Sequence, residues 1–185
     1  AWSGCSSFTN FPVITTSNGE NFSSAWANCS SLASFPQLDT SQGTNFASAW
    51  SGCSSLNNIG VVSGATTSFP LINTSKGTTF FQAWRNCSSL TIFSANFFNS
   101  WTGTPADGCF YRTWGGCSSL TPASVVNILD SIAASGQSAP SGAETGDKEI
   151  TIDWDGTGDP ATDAAAAIAT LKSRNWDVVL NGVSQ

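Results

Sequence analysis

The 185-residue chain has no histidine, and only 10% of its residues are charged. Without histidine, neither a Ser-His-Asp nor a Cys-His catalytic arrangement can be built. No two cysteines are spaced Cys-x-x-Cys, so a zinc site is also disfavoured. No apolar run approaches about eighteen residues, and the sequence therefore predicts no membrane insertion.

Positive charge is scarce as well. Six lysines and arginines face twelve acids, which gives a net charge of -6, and ten of the acids lie between Asp107 and Asp177. Because no basic patch exists, nucleic acid is not an expected partner. Ser, Thr, Asn and Gly take the place of charge on the surface, as is common on secreted and virion proteins. We expect an extracellular or virion-surface location.

What the chain does contain is an internal repeat, Phe-x-x-Ala-Trp-x-x-Cys-Ser-Ser-Leu. Its tryptophans stand at positions 2, 26, 50, 84 and 114, so the basic period is 24 residues with two longer intervals. The longer intervals predict insertions near residues 57–66 and 97–108. The first copy starts at Ala1, in the middle of the unit, so we expect more chain upstream in the parent protein.

Each unit combines two spacings. Phe22, Ala25, Trp26 and Cys29 are spaced i, i+3, i+4, i+7, which predicts a short helix. The segment 32–35 then predicts a short strand, and a turn follows. One such unit cannot bury its apolar face alone, but stacked units can. The predicted fold class is therefore α/β, a leucine-rich-repeat-type parallel solenoid over residues 1–120.

Residues 121–185 predict longer elements. Thr121 and Pro122 favour the start of a helix that ends near Gly136. A strand at 149–154, a helix from Asp159 to about Arg174 and a strand at 176–180 follow. This helix-strand-helix-strand order implies a parallel crossover. We expect it to form a C-terminal cap that continues the solenoid and closes its apolar end.

Five of the six cysteines occupy the same position of the repeat, and Cys109 is the exception. Stacked repeats would place the five in a row of buried free thiols. An even number of cysteines in an extracellular chain also permits disulfides. Cys109 could be free or paired with Cys117.

Asp153, Asp155 and Asp159 alternate with small residues around Gly156, as ligands do in calcium loops. Calcium is the one cofactor that the sequence suggests. The alternative is a strand end, a turn and a helix capped by Asp159. The three acids belong to one loop, whereas a glycosidase needs two carboxylates that face each other across a cleft.

A second repeated motif, Thr-Ser-x-Gly, begins at Thr16, Thr40 and Thr74. Stacked copies would align its hydroxyls along one edge, where they could bind ice or glycans. Alternatively, the hydroxyls satisfy backbone groups in the turns.

Aromatic residues are concentrated in and beside the second insertion. Because loops on a rigid scaffold often carry recognition, we expect Trp101 and Tyr111, with Phe97 and Phe98, to contact a ligand. Some rings here also fall at core positions of the repeat, as Phe110 does.

The unit Asp39-Thr40-Ser41-Gln42-Gly43-Thr44-Asn45-Phe46 through Gly52-Cys53-Ser54-Ser55-Leu56 resembles the BspA-type leucine-rich repeat of bacterial surface proteins. The segment 167–176 is similar to the ends of phage tail fibres. These resemblances imply a receptor-binding module of a tail fibre or adhesin, with a host-cell surface glycan or protein as partner, and they carry over no catalytic residue. The alternative is a structural part of a fibre or virion, bound to other copies or virion proteins.

Overall fold

The computed structural model describes residues 2–59, 72–142, 144 and 146–185. Within them, three helices and five short strands form, and the strands make two sheets. The elements are β1 (Asn58–Ile59), β2 (Ile92–Phe93), α1 (Pro122–Ser135), β3 (Glu149–Ile152), α2 (Pro160–Asp163), α3 (Ala165–Ser173), β4 (Asp177–Leu180) and β5 (Val183–Ser184). The predicted insertion at 57–66 lies outside the described residues from residue 60 onward.

The predicted fold class is wrong. The described chain is a small mixed α/β structure whose helices all follow residue 121, and it shows no leucine-rich-repeat-type parallel solenoid. The helix predicted in each unit is replaced by consecutive turns, because Ser24 and Asn28 adopt left-handed backbone with φ of 51° and 59°. Two left-handed residues four apart interrupt a right-handed helix. The strand predicted at 32–35 reduces to a single bridge between Asn10 and Ser34.

The turns of successive copies are hydrogen-bonded to one another. Alternate N–H groups of residues 22–28 donate to carbonyls of residues 45–51, as Ser24 N does to Ala47 O at 2.8 Å. The intervening N–H groups donate to carbonyls of the same copy and so close turns, as Ala25 N does to Phe22 O at 3.1 Å. We call this run of bonded segments (2–4, 22–28, 46–52, 80–86 and 110–116) the turn ladder. It satisfies the backbone without helices or long strands.

Aromatic rings form the core beside the turn ladder. Neighbouring rings stack in a tryptophan column with centroid distances of 5.3–6.0 Å, whose members are Trp2, Trp26, Trp50, Trp84 and Trp114. They also stack in a phenylalanine column at 5.5–5.6 Å, whose members are Phe22, Phe46, Phe80 and Phe110. The regular stacking fixes the distance between equivalent residues of neighbouring copies.

Most elements after residue 120 agree with the sequence, but the single helix predicted from Asp159 to about Arg174 forms as two helices, α2 and α3, on either side of Ala164. The Thr121 side chain accepts a hydrogen bond from Ser124 N, Pro122 opens α1, and Gly136 ends it with φ of 83°. β3 pairs with β4 in parallel, as the crossover predicted. β5 was not predicted, and it pairs antiparallel with β4 across Asn181 and Gly182. A bridge between Trp114 and Ile152 joins β3 to the last copy of the repeat.

Candidate functional site

Three of the four aromatic residues expected to bind a ligand lie in the core. Phe98 and Trp101 are 0% exposed and Phe97 is 5% exposed. The Trp101 indole Nε1–H donates to Gly77 O at 2.6 Å, and its ring packs edge-on against Phe110 at 5.1 Å. Because no face of these rings is open, the structure assigns them to packing, and they cannot serve as a recognition surface in this conformation.

Tyr111 has a different environment. Its ring is partly exposed, and the Phe81 ring lies 6.2 Å from it. The Arg112 guanidinium carbon lies 5.2 Å from the centre of the Tyr111 ring. Gly146 packs against the same ring, where a Cβ would come within 2.8 Å of Tyr111 Cδ2. The phenol ring is thus held between its neighbours rather than free to rotate.

Arg112, which lies over this ring, also lines a pocket of about 220 Å³. The pocket is lined by Arg85, Asn86, Arg112, Gly115, Gly116, Thr151 and Asp153. We call Phe81, Arg85, Tyr111 and Arg112 together the arginine patch. Sequence reasoning named only Tyr111 among these four.

The turn ladder explains why the two arginines meet. Arg85 follows Trp84 directly, while Arg112 stands two positions before Trp114 in the next copy. In the earlier copies the side chains at the position of Arg112 are Ser24, Ser48 and Gln82, all of them uncharged; Ser24 is exposed, and the other two are partly exposed. Bonds such as Trp84 N to Thr113 O at 3.0 Å place the two copies side by side. The pocket therefore depends on two residues that are unique among equivalent positions.

The charges around the pocket favour an anion. The chain has only three arginines, and the third, Arg174, donates from Nη1 to Ala133 O. No ion pair to Arg85 or Arg112 is found within the described part of the chain. Asp153 shares the pocket, but its Oδ2 accepts a hydrogen bond from Gly116 N at 2.7 Å. Two guanidinium groups thus remain available in one concave site on an acidic protein.

The predicted calcium loop does not assemble. Asp155 Oδ1 accepts from Thr157 N and Thr157 Oγ1, and Asp159 accepts from Thr162 N and Thr162 Oγ1. The Thr162 hydroxyl and N–H hold the pKa of Asp159 below its ordinary value. In the described ranges, no three His, Cys, Asp or Glu side chains are arranged to hold a metal ion. The carboxylates turn the chain and cap α2, as the alternative interpretation had it.

The prediction of a row of free thiols is confirmed. All six cysteines are free, and all except Cys5 are buried. Four of the five thiols in the row, all except Cys5, donate to the carbonyl of the tryptophan in the preceding copy, as Cys53 Sγ does to Trp26 O at 3.2 Å. Burial raises the pKa of both Cys53 and Cys117 to about 12. Burial also raises the pKa of Cys109, so none of these three is a ready nucleophile.

The repeated threonines satisfy the backbone. Thr16, Thr40 and Thr74 donate their hydroxyls to carbonyls of the following segment, at 2.7, 2.9 and 3.1 Å. These donors are therefore not free to form the array that ice or a glycan would require.

Comparison with family models, with curated proteins and with solved structures returned no match. Among the described residues, no helix is long and apolar enough to cross a membrane.

Proposed function

We propose that this chain is an extracellular recognition module, the distal or receptor-binding part of a tail fibre or adhesin, and that the arginine patch binds an acidic group on a cell-surface glycan or protein. The observation that carries the proposal is the placement of Arg85 and Arg112 in one pocket without an ion-pair partner in the described chain. The role requires binding and no catalysis.

The chemistry of the patch suits an acidic sugar. A guanidinium group presents a planar fork of donors that matches a carboxylate or sulfate in two parallel hydrogen bonds. Arg112 also lies over the Tyr111 ring, and this cation–π contact helps to hold its guanidinium group at the pocket. The turn ladder holds both arginine backbones in place, which lowers the entropy lost on binding.

The test measures binding of the whole chain to an immobilised sialylated oligosaccharide, a sulfated oligosaccharide and their neutral counterparts. We expect the chain to retain an acidic glycan, with affinity that falls as salt rises. Arg85→Gln with Arg112→Gln should weaken this binding by at least about 100-fold, because each lost charged hydrogen bond contributes about 1.5–3 kcal/mol.

Lys76→Gln is the matched control. Lys76 is exposed, donates to the Gln42 side chain and does not line the pocket, so this substitution removes one positive charge without changing the pocket lining. It should leave affinity within about twofold. Equal losses in the control and in the arginine variants would refute the site. If the chain binds no acidic glycan or cell surface but associates with virion proteins or its own copies, the structural role is correct instead.

A further inference from the structure

The pocket of the arginine patch also contains one acid, Asp153, which directly follows β3. Its Oδ2 accepts a hydrogen bond from Gly116 N at 2.7 Å. In the preceding copy the equivalent donor, Asn86 N, binds the backbone carbonyl of Gly115 at 2.8 Å. One oxygen of the Asp153 carboxylate therefore takes the place of a backbone carbonyl at this edge of the turn ladder.

The other oxygen of this carboxylate, Oδ1, is available to a ligand. None of the described residues donates a hydrogen bond to it. Neither Arg85 nor Arg112 forms an ion pair with Asp153 in the described ranges, although all three side chains line the same pocket. Because the positive and the negative groups are held apart, the pocket offers guanidinium donors and a carboxylate acceptor at separate points.

Part of the pocket wall is bare backbone. Gly115 and Gly116 line the pocket without side chains, whereas Ser51 and Arg85 occupy the position of Gly115 in the two preceding copies. The volume of about 220 Å³ is below the roughly 300 Å³ at which pockets for drug-sized molecules begin. The pocket therefore suits a single small ring rather than a long chain.

We propose that this pocket selects a sugar acid, a ring that carries a carboxylate and hydroxyl groups together. The inference rests on the proposed function, because the carboxylate of the ligand binds the same two arginines. A ring hydroxyl donates to Asp153 Oδ1, in a hydrogen bond that the charge of the acceptor strengthens. An acid without such a donor, for example inorganic sulfate or the carboxylate of a protein side chain, leaves Asp153 unpaired and is repelled by its charge. Asp153 is therefore the residue that determines specificity for a glycan.

The test titrates the whole chain with D-glucuronate and with cyclohexanecarboxylate, which carry a carboxylate on a six-membered ring but differ in their hydroxyl groups. Shifts of the Gly115 and Gly116 amide signals in NMR spectra report occupation of this pocket. Glucuronate should bind at least about tenfold more tightly, because it alone supplies a donor to the carboxylate. Apolar adhesion would give the opposite order, since cyclohexanecarboxylate is the more hydrophobic acid.

Asp153→Asn tests the role of the carboxylate. Asparagine keeps an oxygen for Gly116 N but loses the charge, so the turn ladder retains its acceptor. The preference for glucuronate should shrink at least about threefold, and cyclohexanecarboxylate should bind more tightly than it does to the original chain. Asp155→Asn is the matched control. It removes the same charge two residues away, and Asp155 accepts from Thr157 and does not line the pocket. This control should keep the preference for glucuronate.

The outcomes separate this inference from the proposed function. Equal affinity of the original chain for the two acids would overturn the inference, while binding that Arg85→Gln with Arg112→Gln abolishes would still support the arginine site. If neither acid shifts the Gly115 and Gly116 signals, the inference and the proposed anion site are both wrong. Melting temperatures verify that the variants fold. An unchanged ratio of the two affinities in a folded Asp153→Asn variant would overturn the inference, because Asp153 would then serve only the turn ladder.

Discussion

At the residue scale, one left-handed backbone position of the repeat alternates between two residue types. Its occupants in chain order are Gly4, Asn28, Gly52, Asn86 and Gly116, each with positive φ. Glycine adopts this conformation without strain, and asparagine tolerates it better than other side chains. The Asn28 side chain lies over Gly52, where a Cβ would come within 2.5 Å of Asn28 Oδ1. Asn86 lies over Gly116 in the same way. A side chain at Gly52 or Gly116 would therefore have to displace the asparagine amide of the preceding copy.

This pairing predicts a coupled effect on stability. Gly52→Ala should lower the free energy of unfolding by roughly 1–2 kcal/mol from the left-handed backbone. It should cost about 1 kcal/mol more from displacement of the Asn28 amide. In an Asn28→Gly background, only the backbone cost should remain. Urea unfolding of the four proteins gives the coupling energy, and strict additivity would show that the two residues do not interact.

The buried indole N–H groups carry a desolvation cost in free energy. The Nε1–H groups of Trp26, Trp84 and Trp114 have no hydrogen-bond partner among the described residues. Phenylalanine rings stand nearly perpendicular to these indoles, as Phe35 does to Trp26 at 4.7 Å and Phe93 does to Trp84 at 5.4 Å. Edge-to-face contacts of this kind are favourable and offset part of the desolvation of the N–H groups.

At the scale of elements, the sequence predicted best where signals were local. Thr121, Pro122 and Gly136 mark the ends of α1 because capping depends on neighbouring residues only. The helix predicted at Phe22–Cys29 failed because consecutive turns bring residues i, i+3 and i+4 to one side just as a helix does. The recurrent Asn or Gly two positions after each tryptophan was the signal for turns. Similarly, Asn181-Gly182 between apolar residues was the signal for the hairpin of β4 and β5.

One serine connects α1 to the small sheet of β1 and β2. The buried Ser124 Oγ accepts from Phe93 N at 2.9 Å and donates to Thr91 O at 3.0 Å. Ser131 is equally buried in the same helix but donates only to Ile128 O, inside α1.

We therefore expect Ser124→Ala to destabilise the chain more than Ser131→Ala. The first substitution leaves the buried Phe93 N–H without an acceptor and should lower the free energy of unfolding by about 1–3 kcal/mol. The second leaves no donor stranded and gains helix propensity, so it should cost less than about 1 kcal/mol. Thermal unfolding of the two variants measures the difference, and equal midpoints would contradict this account of the helix-sheet contact.

At the scale of the whole molecule, the arginine patch shows why a site is harder to predict than a core. Arg85 and Arg112 come from different copies, and only the packing of those copies, with β3 beside them, closes a pocket around both. The aromatic residues at 97–101 were expected to contact a ligand because they lie in an insertion, yet they are buried in the core. By contrast, the row of thiols followed directly from the period, since equivalent residues of stacked copies share one environment.

Because of these thiols, the folded chain should lose stability as the pH becomes alkaline. Burial raises the pKa of Cys53 and Cys117 to about 12, from an ordinary value of about 9. The contribution of these buried neutral thiols to the free energy of unfolding is complete below pH 9. It is lost as pH rises toward 12, because the unfolded chain releases the thiol protons at lower pH than the folded chain does.

The melting temperature should therefore fall between about pH 9 and about pH 11. A Cys53→Ser and Cys117→Ser double variant keeps donors for the tryptophan carbonyls but loses the ionisable groups. Its melting temperature should fall less over the same interval. Parallel pH profiles of the two proteins would show that other groups dominate.

The hairpin of β4 and β5 reverses the chain direction at one edge of the three-stranded sheet. β4 runs parallel to β3, whereas β5 runs antiparallel to β4 and occupies the edge that a further strand would otherwise use. Because β5 has only two residues, it offers few unpaired backbone groups to another chain. A short edge strand of this kind guards against aggregation by edge-to-edge pairing.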